Sequence, residues 1–180
     1  MEDKRFHTVD QILSYAFAAE AARITPEMSY ELMSRVTNPE ALSPEEFIAD
    51  GIMLKNRAMR NLVSLQRNII SLWYRKPVDR GLQDMIAFNL YCLTLAILDE
   101  KKQPLDRFFV VDVLREWSPY NKSHHGLVWW SEHLGKPLGT VKSWALSNDP
   151  DRKSINYLLN TWLNDARQQL EVVYADAGLL

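Results

Sequence analysis

The chain has a single cysteine, Cys92, among 180 residues, so an intramolecular disulfide and a Cys-rich zinc site are both excluded. It shows no signal-peptide pattern and no apolar run near the ~18 residues that a membrane helix needs, which predicts a soluble cytoplasmic protein with no membrane partner. Turn formers are scarce, with six glycines and eight prolines. Leu, Ala, Met, Glu and Arg are plentiful and apolar residues recur at helical rather than alternating intervals, so the expected fold class is all-α. A phosphate-cradling glycine loop, a nucleophile elbow and a zinc-protease motif are also missing. No catalytic residue, metal ligand or cofactor is therefore assigned, and the expected activity is not enzymatic. Neither an internal repeat nor a low-complexity tail is visible.

What is present begins with a core: 47% hydrophobic residues, in about one ordinary domain's length, can close a substantial interior. The net charge of −2 conceals a polarity along the chain. Residues 1 to 50 hold ten acids and four bases, whereas residues 55 to 80 carry Lys55, Arg57, Arg60, Arg67, Arg75, Lys76 and Arg80 against Asp79 alone. Two readings stay open: the basic middle meets nucleic acid, or the acidic and basic faces meet inside the fold or across a dimer. Arg57, Arg60 and Arg67, spaced by three and seven, fall near one helical face and form a candidate basic surface.

Thr8 can cap a helix over residues 9 to 23, and Thr25 with Pro26 restarts the chain. Ser43, Pro44, Glu45 and Glu46 combine an N-cap, a first-turn proline and a capping-box carboxylate, so a long helix is expected from there toward Tyr74, with Gly51 marking a bend. After Pro77 the apolar positions Leu82, Met85, Ile86, Phe88, Leu90, Leu93 and Ile97 predict a helix that is apolar on most sides and lies centrally. Cys92, in its midst, reads as a buried inert thiol. The run from Phe108 to Val111 suits a strand or a helix; Leu105, Phe109, Val113 and Trp117 at steps of four favour the helix. Ser118 to Ser123 is the best loop. The expected organisation is a helical bundle over residues 1 to 118 and a second module over residues 123 to 180, unless the two form one compact domain.

The decisive stretch is Leu127-Val-Trp-Trp-Ser-Glu-His-Leu-Gly-Lys-Pro-Leu-Gly-Thr-Val-Lys-Ser-Trp-Ala-Leu146. Two short helices joined through Gly135 are what a helix-turn-helix requires, with Ser131 as the small residue facing the partner helix and Leu134, Val141 and Trp144 as apolar anchors. Leu138-Gly-Thr-Val-Lys-Ser resembles the recognition helix of sigma-factor region-4 and LuxR-type DNA-binding domains, and Val-Lys-Ser-Trp is similar to phage-repressor recognition helices. Lys136 stands where those families commonly have an apolar residue, and Trp144 where they have an aliphatic one. The resemblance implies that Lys136, Leu138, Gly139, Thr140, Lys142 and Ser143 face double-stranded DNA, with Thr140 and Lys142 as the base or phosphate contacts. The bland alternative is a helical hairpin in which Val141 and Trp144 only pack.

Other signals are weaker. His124, His125 and His133 fit no metal-ligand spacing and are expected in caps, loop contacts or packing. Trp117, Tyr120, Trp129, Trp130 and Trp144 could stack single-stranded bases, but helical spacing points to a core. In the terminal helix, Ile155, Leu159, Trp162, Ala166 and Val173 form an apolar seam that buries itself either on its own bundle or in a homodimer. The expected function is a sequence-specific transcription regulator of phage or mobile-element type. The rival is a non-catalytic adaptor contacting RNA polymerase or another nucleic-acid-bound assembly, including a CRISPR-interference or packaging accessory factor.

Overall fold

A computed structural model of the chain describes residues 6–24, 43–75, 80–97, 105–120 and 124–180. These residues hold eight helices and no strand: α1 (Val9–Ile24), α2 (Pro44–Arg60), α3 (Ser64–Tyr74), α4 (Arg80–Ile97), α5 (Arg107–Trp117), α6 (Leu127–Leu134), α7 (Leu138–Ser147) and α8 (Asp149–Ala175). The fold is all-α, as the apolar spacing predicts, and the run from Phe108 to Val111 is helical. By its contacts the chain divides into two units, one of Met1–Lys76 with Trp162–Leu180 and one of Pro77–Thr161. The loop expected to separate two modules, residues 118 to 123, lies within the second unit, and the division passes through α8. The restart expected at Thr25 and Pro26 falls outside the described residues.

In the first unit, α1 starts where Thr8 caps it: the Thr8 hydroxyl accepts from the Gln11 amide at 3.2 Å, and Gln11 Oε1 accepts the amides of His7 and Thr8. Ser43 and Glu46 form the expected capping box at the start of α2, with the Glu46 carboxylate 2.8 Å from the Ser43 amide. That hydrogen bond holds the Glu46 carboxyl below the usual range. The single long helix expected from Ser43 to Tyr74 is instead two. Asn61 closes α2 by donating its side-chain amide to the Arg57 carbonyl at 2.8 Å, and the Val63 amide, on extended backbone, is taken by Gln66 Oε1 at 3.2 Å. Side-chain groups thus satisfy the backbone where the helix stops and restarts, with neither Gly nor Pro involved.

Gly51 lies within the unbroken α2 and is a point of close approach: a Cβ there would overlap the Ala19 Cβ of α1. Around this crossing Tyr15 packs edge-on against Phe6 and Phe47 with centroids 5.5 and 4.9 Å away, and Leu54, Ile69, Ile70 and Leu72 are buried. The second half of α8 contributes Leu163, Ala166, Leu170 and Tyr174 to the buried set, and Tyr174 donates to the Leu54 carbonyl at 3.1 Å. Burial raises the Tyr174 hydroxyl pKa far above its ordinary range.

Across α8 as a whole the buried seam runs Ile155, Leu159, Leu163, Ala166, Leu170 and Tyr174, so it is covered within the single chain. Trp162 and Val173, expected on it, are half-buried at its side. The second unit corrects another expectation. On α4, Ile86, Ala87 and Leu90 are buried while Met85, Phe88 and Cys92 are exposed, so over residues 81–93 the helix is one-sided and its thiol is open to solvent. In α5, by contrast, every residue from Phe109 to Leu114 is buried, including Asp112.

Candidate nucleic-acid interface

α6 ends because Gly135 adopts the left-handed conformation, φ 60° and ψ 36°, which a residue without Cβ enters at no steric cost. Its amide and that of Lys136 return to the Glu132 and Ser131 carbonyls at 3.2 and 3.0 Å. The Ser131 hydroxyl closes the turn from the other side by donating to the Lys136 carbonyl at 2.5 Å. Pro137 then fixes the entry to α7, where the Val141 amide bonds the Pro137 carbonyl at 3.0 Å. The two helices pack against each other. Val141 is fully buried, and the half-buried Trp144 meets Phe109 and Trp130 with ring centroids 5.8 and 4.9 Å away. At the far end Asn148 and Ser147 both donate to the Trp144 carbonyl, closing α7.

Holding Val141 and Trp144 inward turns most of α7 outward. Lys136, Leu138, Gly139, Thr140, Lys142 and Ser143, the six residues assigned from the sequence, are all exposed. Arg152 and Lys153, the other bases near this hairpin, are paired with Glu116 and Asp149. Lys136 and Lys142 make no ion pair among the described residues, so the outward surface carries two uncommitted positive charges beside a hydroxyl pair and a leucine. The outward face of α7 is thus a short strip with few charges.

Behind this strip lies a polar network that sequence reasoning missed. Asp112, 3% exposed, accepts the His125 amide at 3.1 Å, His125 Nδ1 at 2.8 Å and the Trp130 indole N–H at 3.1 Å, with Arg115 at 3.8 Å. A buried carboxylate requires such donors. The available signal is an Asp between two valines on a helix whose neighbours are apolar all round, with donors His125 and Trp130 shortly afterward. Asp106 plays a parallel part: it caps α5 through the Phe108 and Phe109 amides and meets His133 Nε2 at 3.0 Å. His125, Trp129 and His133 consequently form a three-ring stack, with centroid separations of 3.6 and 4.8 Å. These two histidines serve in packing and loop contacts, and among the described residues no cluster suited to a metal ion occurs.

The candidate basic surface belongs to the first unit. Arg57, Arg60 and Arg67 are exposed and none is ion-paired among the described residues. The interruption at Asn61 puts Arg67 on α3, where its Nε donates to the Leu62 carbonyl at 2.7 Å, so the three do not share one helix as expected. Arg57 and Arg60 line an open groove of about 540 Å³ with Asn56, Asn61, Ile52 and Met53. Part of the acidic and basic polarity does meet inside this unit. Buried Glu20 takes Lys55 and Arg75, the latter at 2.9 Å. Burial pushes its carboxyl up, but the hydrogen bonds and charges of Arg75 and Lys55 outweigh burial and hold it below the usual range.

Among the described residues no helix is long and apolar enough to cross a membrane. No family model, curated protein or solved structure matches the chain.

Proposed function

We propose that the protein is a sequence-specific binder of double-stranded DNA that regulates transcription, with α7 as the element entering the major groove. The observation that carries this reading is the division of α7 into an inward pair, Val141 and Trp144, and an outward set in which the Thr140, Lys142 and Ser143 side chains have no partner among the described residues. Arg57, Arg60 and Arg67, in the first unit, would make sequence-independent phosphate contacts of their own. The reading is tested by selecting duplexes from a random pool and measuring affinity for the enriched site. Thr140→Ala with Lys142→Ala should lose about 1–3 kcal/mol for each base-edge contact while the melting temperature holds. An unaltered affinity removes α7 from the interface. Charge reversal of Arg57 and Arg60 to Glu should flatten the salt dependence by about one unit of log slope for each phosphate no longer neutralised.

A specific observation favours the adaptor reading as an alternative. The same helix pair leaves Leu127, Val128, Leu138 and Leu146 exposed, the last at 69%. Apolar side chains grouped on a short helical hairpin suit contact with another protein, such as RNA polymerase or a second nucleic-acid-bound factor. Val128→Ser with Leu146→Ser should then abolish partner capture and leave duplex affinity unchanged; the reverse outcome favours direct DNA contact.

A further inference from the structure

We infer, resting on the duplex reading above, that α7 recognises the C5-methyl group of thymine, with Gly139 as its point of closest approach to the base.

Gly139 is a glycine that the fold does not require. Gly51 is kept small by Ala19, and Gly135 is fixed by its left-handed backbone. Gly139 lies in the first turn of α7 without a positive φ, and a Cβ placed on it would meet no atom within 4 Å. Alanine is the better helix former, so an exposed helical glycine in open space weakens the hairpin and gains nothing inside the chain. Helical residues advance by about 100° each, so the line opposite buried Val141 and half-buried Trp144 starts at Gly139, passes between Lys142 and Ser143 and ends at Leu146. The bare position is therefore central on the outward face, at the N-terminal end that a recognition helix presents to base edges. Leu138, 51% exposed, and exposed Thr140 flank it on either side.

α7 also lacks the side chains that read polar base edges best. Arg pairs with guanine, Asn or Gln with adenine, and Asp or Glu accepts from cytosine. None of these occurs from Leu138 to Ser147, where Lys142 is the only charged residue. Lys142 can serve guanine or a phosphate, and the Thr140 and Ser143 hydroxyls suit several bases. What remains around Gly139 is apolar: the Leu138 side chain, the Thr140 methyl group and the bare Cα between them. The major groove displays one apolar group, the thymine methyl, and a residue without Cβ leaves room for it.

The full chain is used to enrich a duplex from a random pool, and each thymine of the enriched site is replaced singly by deoxyuridine, which removes the methyl alone. At one position or more, affinity should fall about fourfold, the worth of one buried methyl group. Gly139→Ala should raise the melting temperature, weaken binding to the thymine duplex by about tenfold and abolish its advantage over the deoxyuridine duplex. Thr140→Ser, which keeps the hydroxyl and loses the methyl, should narrow that advantage with the fold unchanged. A chain that enriches no duplex overturns the duplex reading and this inference with it. Tight duplex binding in which thymine and deoxyuridine are equal at every position overturns this inference alone. So does a Gly139→Ala variant that loses equally on both duplexes, which puts the glycine against sugar or phosphate instead.

Discussion

In the first unit the buried Glu20 is held by Lys55 and Arg75, while in the second the buried Asp112 is held by an imidazole, an indole and a backbone amide. The first arrangement ties helices together through opposite charges at their edges. The second ties a loop and two aromatic residues to a helix through directional hydrogen bonds inside a ring cluster. The difference shows in what surrounds them. The first unit packs small against small, Gly51 on Ala19, so its helices approach closely; the second packs ring on ring, with His125, Trp129 and His133 stacked beside Trp130 and Trp144. A carboxylate among rings has fewer alternative partners than one at a helix edge, so its loss should be felt more.

Asp112→Ala breaks the comparison most severely. It strands the Trp130 indole and His125 amide donors and leaves Arg115 without its carboxylate, at a cost of about 3–5 kcal/mol. Near-ultraviolet dichroism should fall, while hydrogen exchange in α1 and α2 stays protected. Loss of protection in both units would show that they unfold together. Gly51→Ala is the reciprocal probe. In an ordinary helix interior this change stabilises by about 1 kcal/mol; here the clash with Ala19 should reverse the sign and cost ~1–3 kcal/mol, with Ala19→Gly restoring part of it. A stabilised variant would refute the close approach.

Glu20→Gln sharpens the comparison through pH. Because the folded carboxyl titrates below its unfolded value, it contributes stability that is fully present above the ordinary glutamate range and is lost as the pH falls through the lowered value. Chemical denaturation across the acid range should therefore show a weaker pH slope in the variant, with a loss of about 1.5 kcal/mol at neutral pH. Equal slopes would mean that Glu20 is not held by its cations. The smallest effect is expected at the second unit's turn. Gly135→Ala has open space around the new methyl group, so only the left-handed backbone resists it, at roughly 1 kcal/mol, and Gly135→Asn should cost less.

The same contrast between near and distant partners governs what is legible in the sequence. Signals written in adjacent residues are plain: Thr8 as a cap, Ser43 with Glu46 as a capping box, Gly135 as the turn between two short helices. The outward placement of Thr140 and Lys142 is what the helix-turn-helix resemblance implies, and both are exposed. Signals that depend on a distant neighbour are not plain. Gly51 reads as a bend until Ala19 is placed against it. Asp112 draws no notice in the sequence, because its partners His125 and Trp130 lie thirteen and eighteen positions later. The stop at Asn61 escapes notice because a side-chain amide on a carbonyl ends a helix without the usual Gly or Pro. Phe88, 62% exposed, shows that an apolar segment need not be a buried one.

The way α8 divides has a bearing on how the chain is made. The first unit takes its buried Leu163, Ala166, Leu170 and Tyr174 from the far side of the whole second unit, so during synthesis α1 to α3 emerge long before the residues that complete their core. Closing that core spans a loop of about the second unit's length, which costs little in equilibrium free energy but delays the non-local contacts. The second unit has only the first half of α8 to await and is complete earlier. Nascent chains released near Thr161 should therefore carry an ordered second unit beside a first unit whose apolar face is still open, the state most in need of a chaperone.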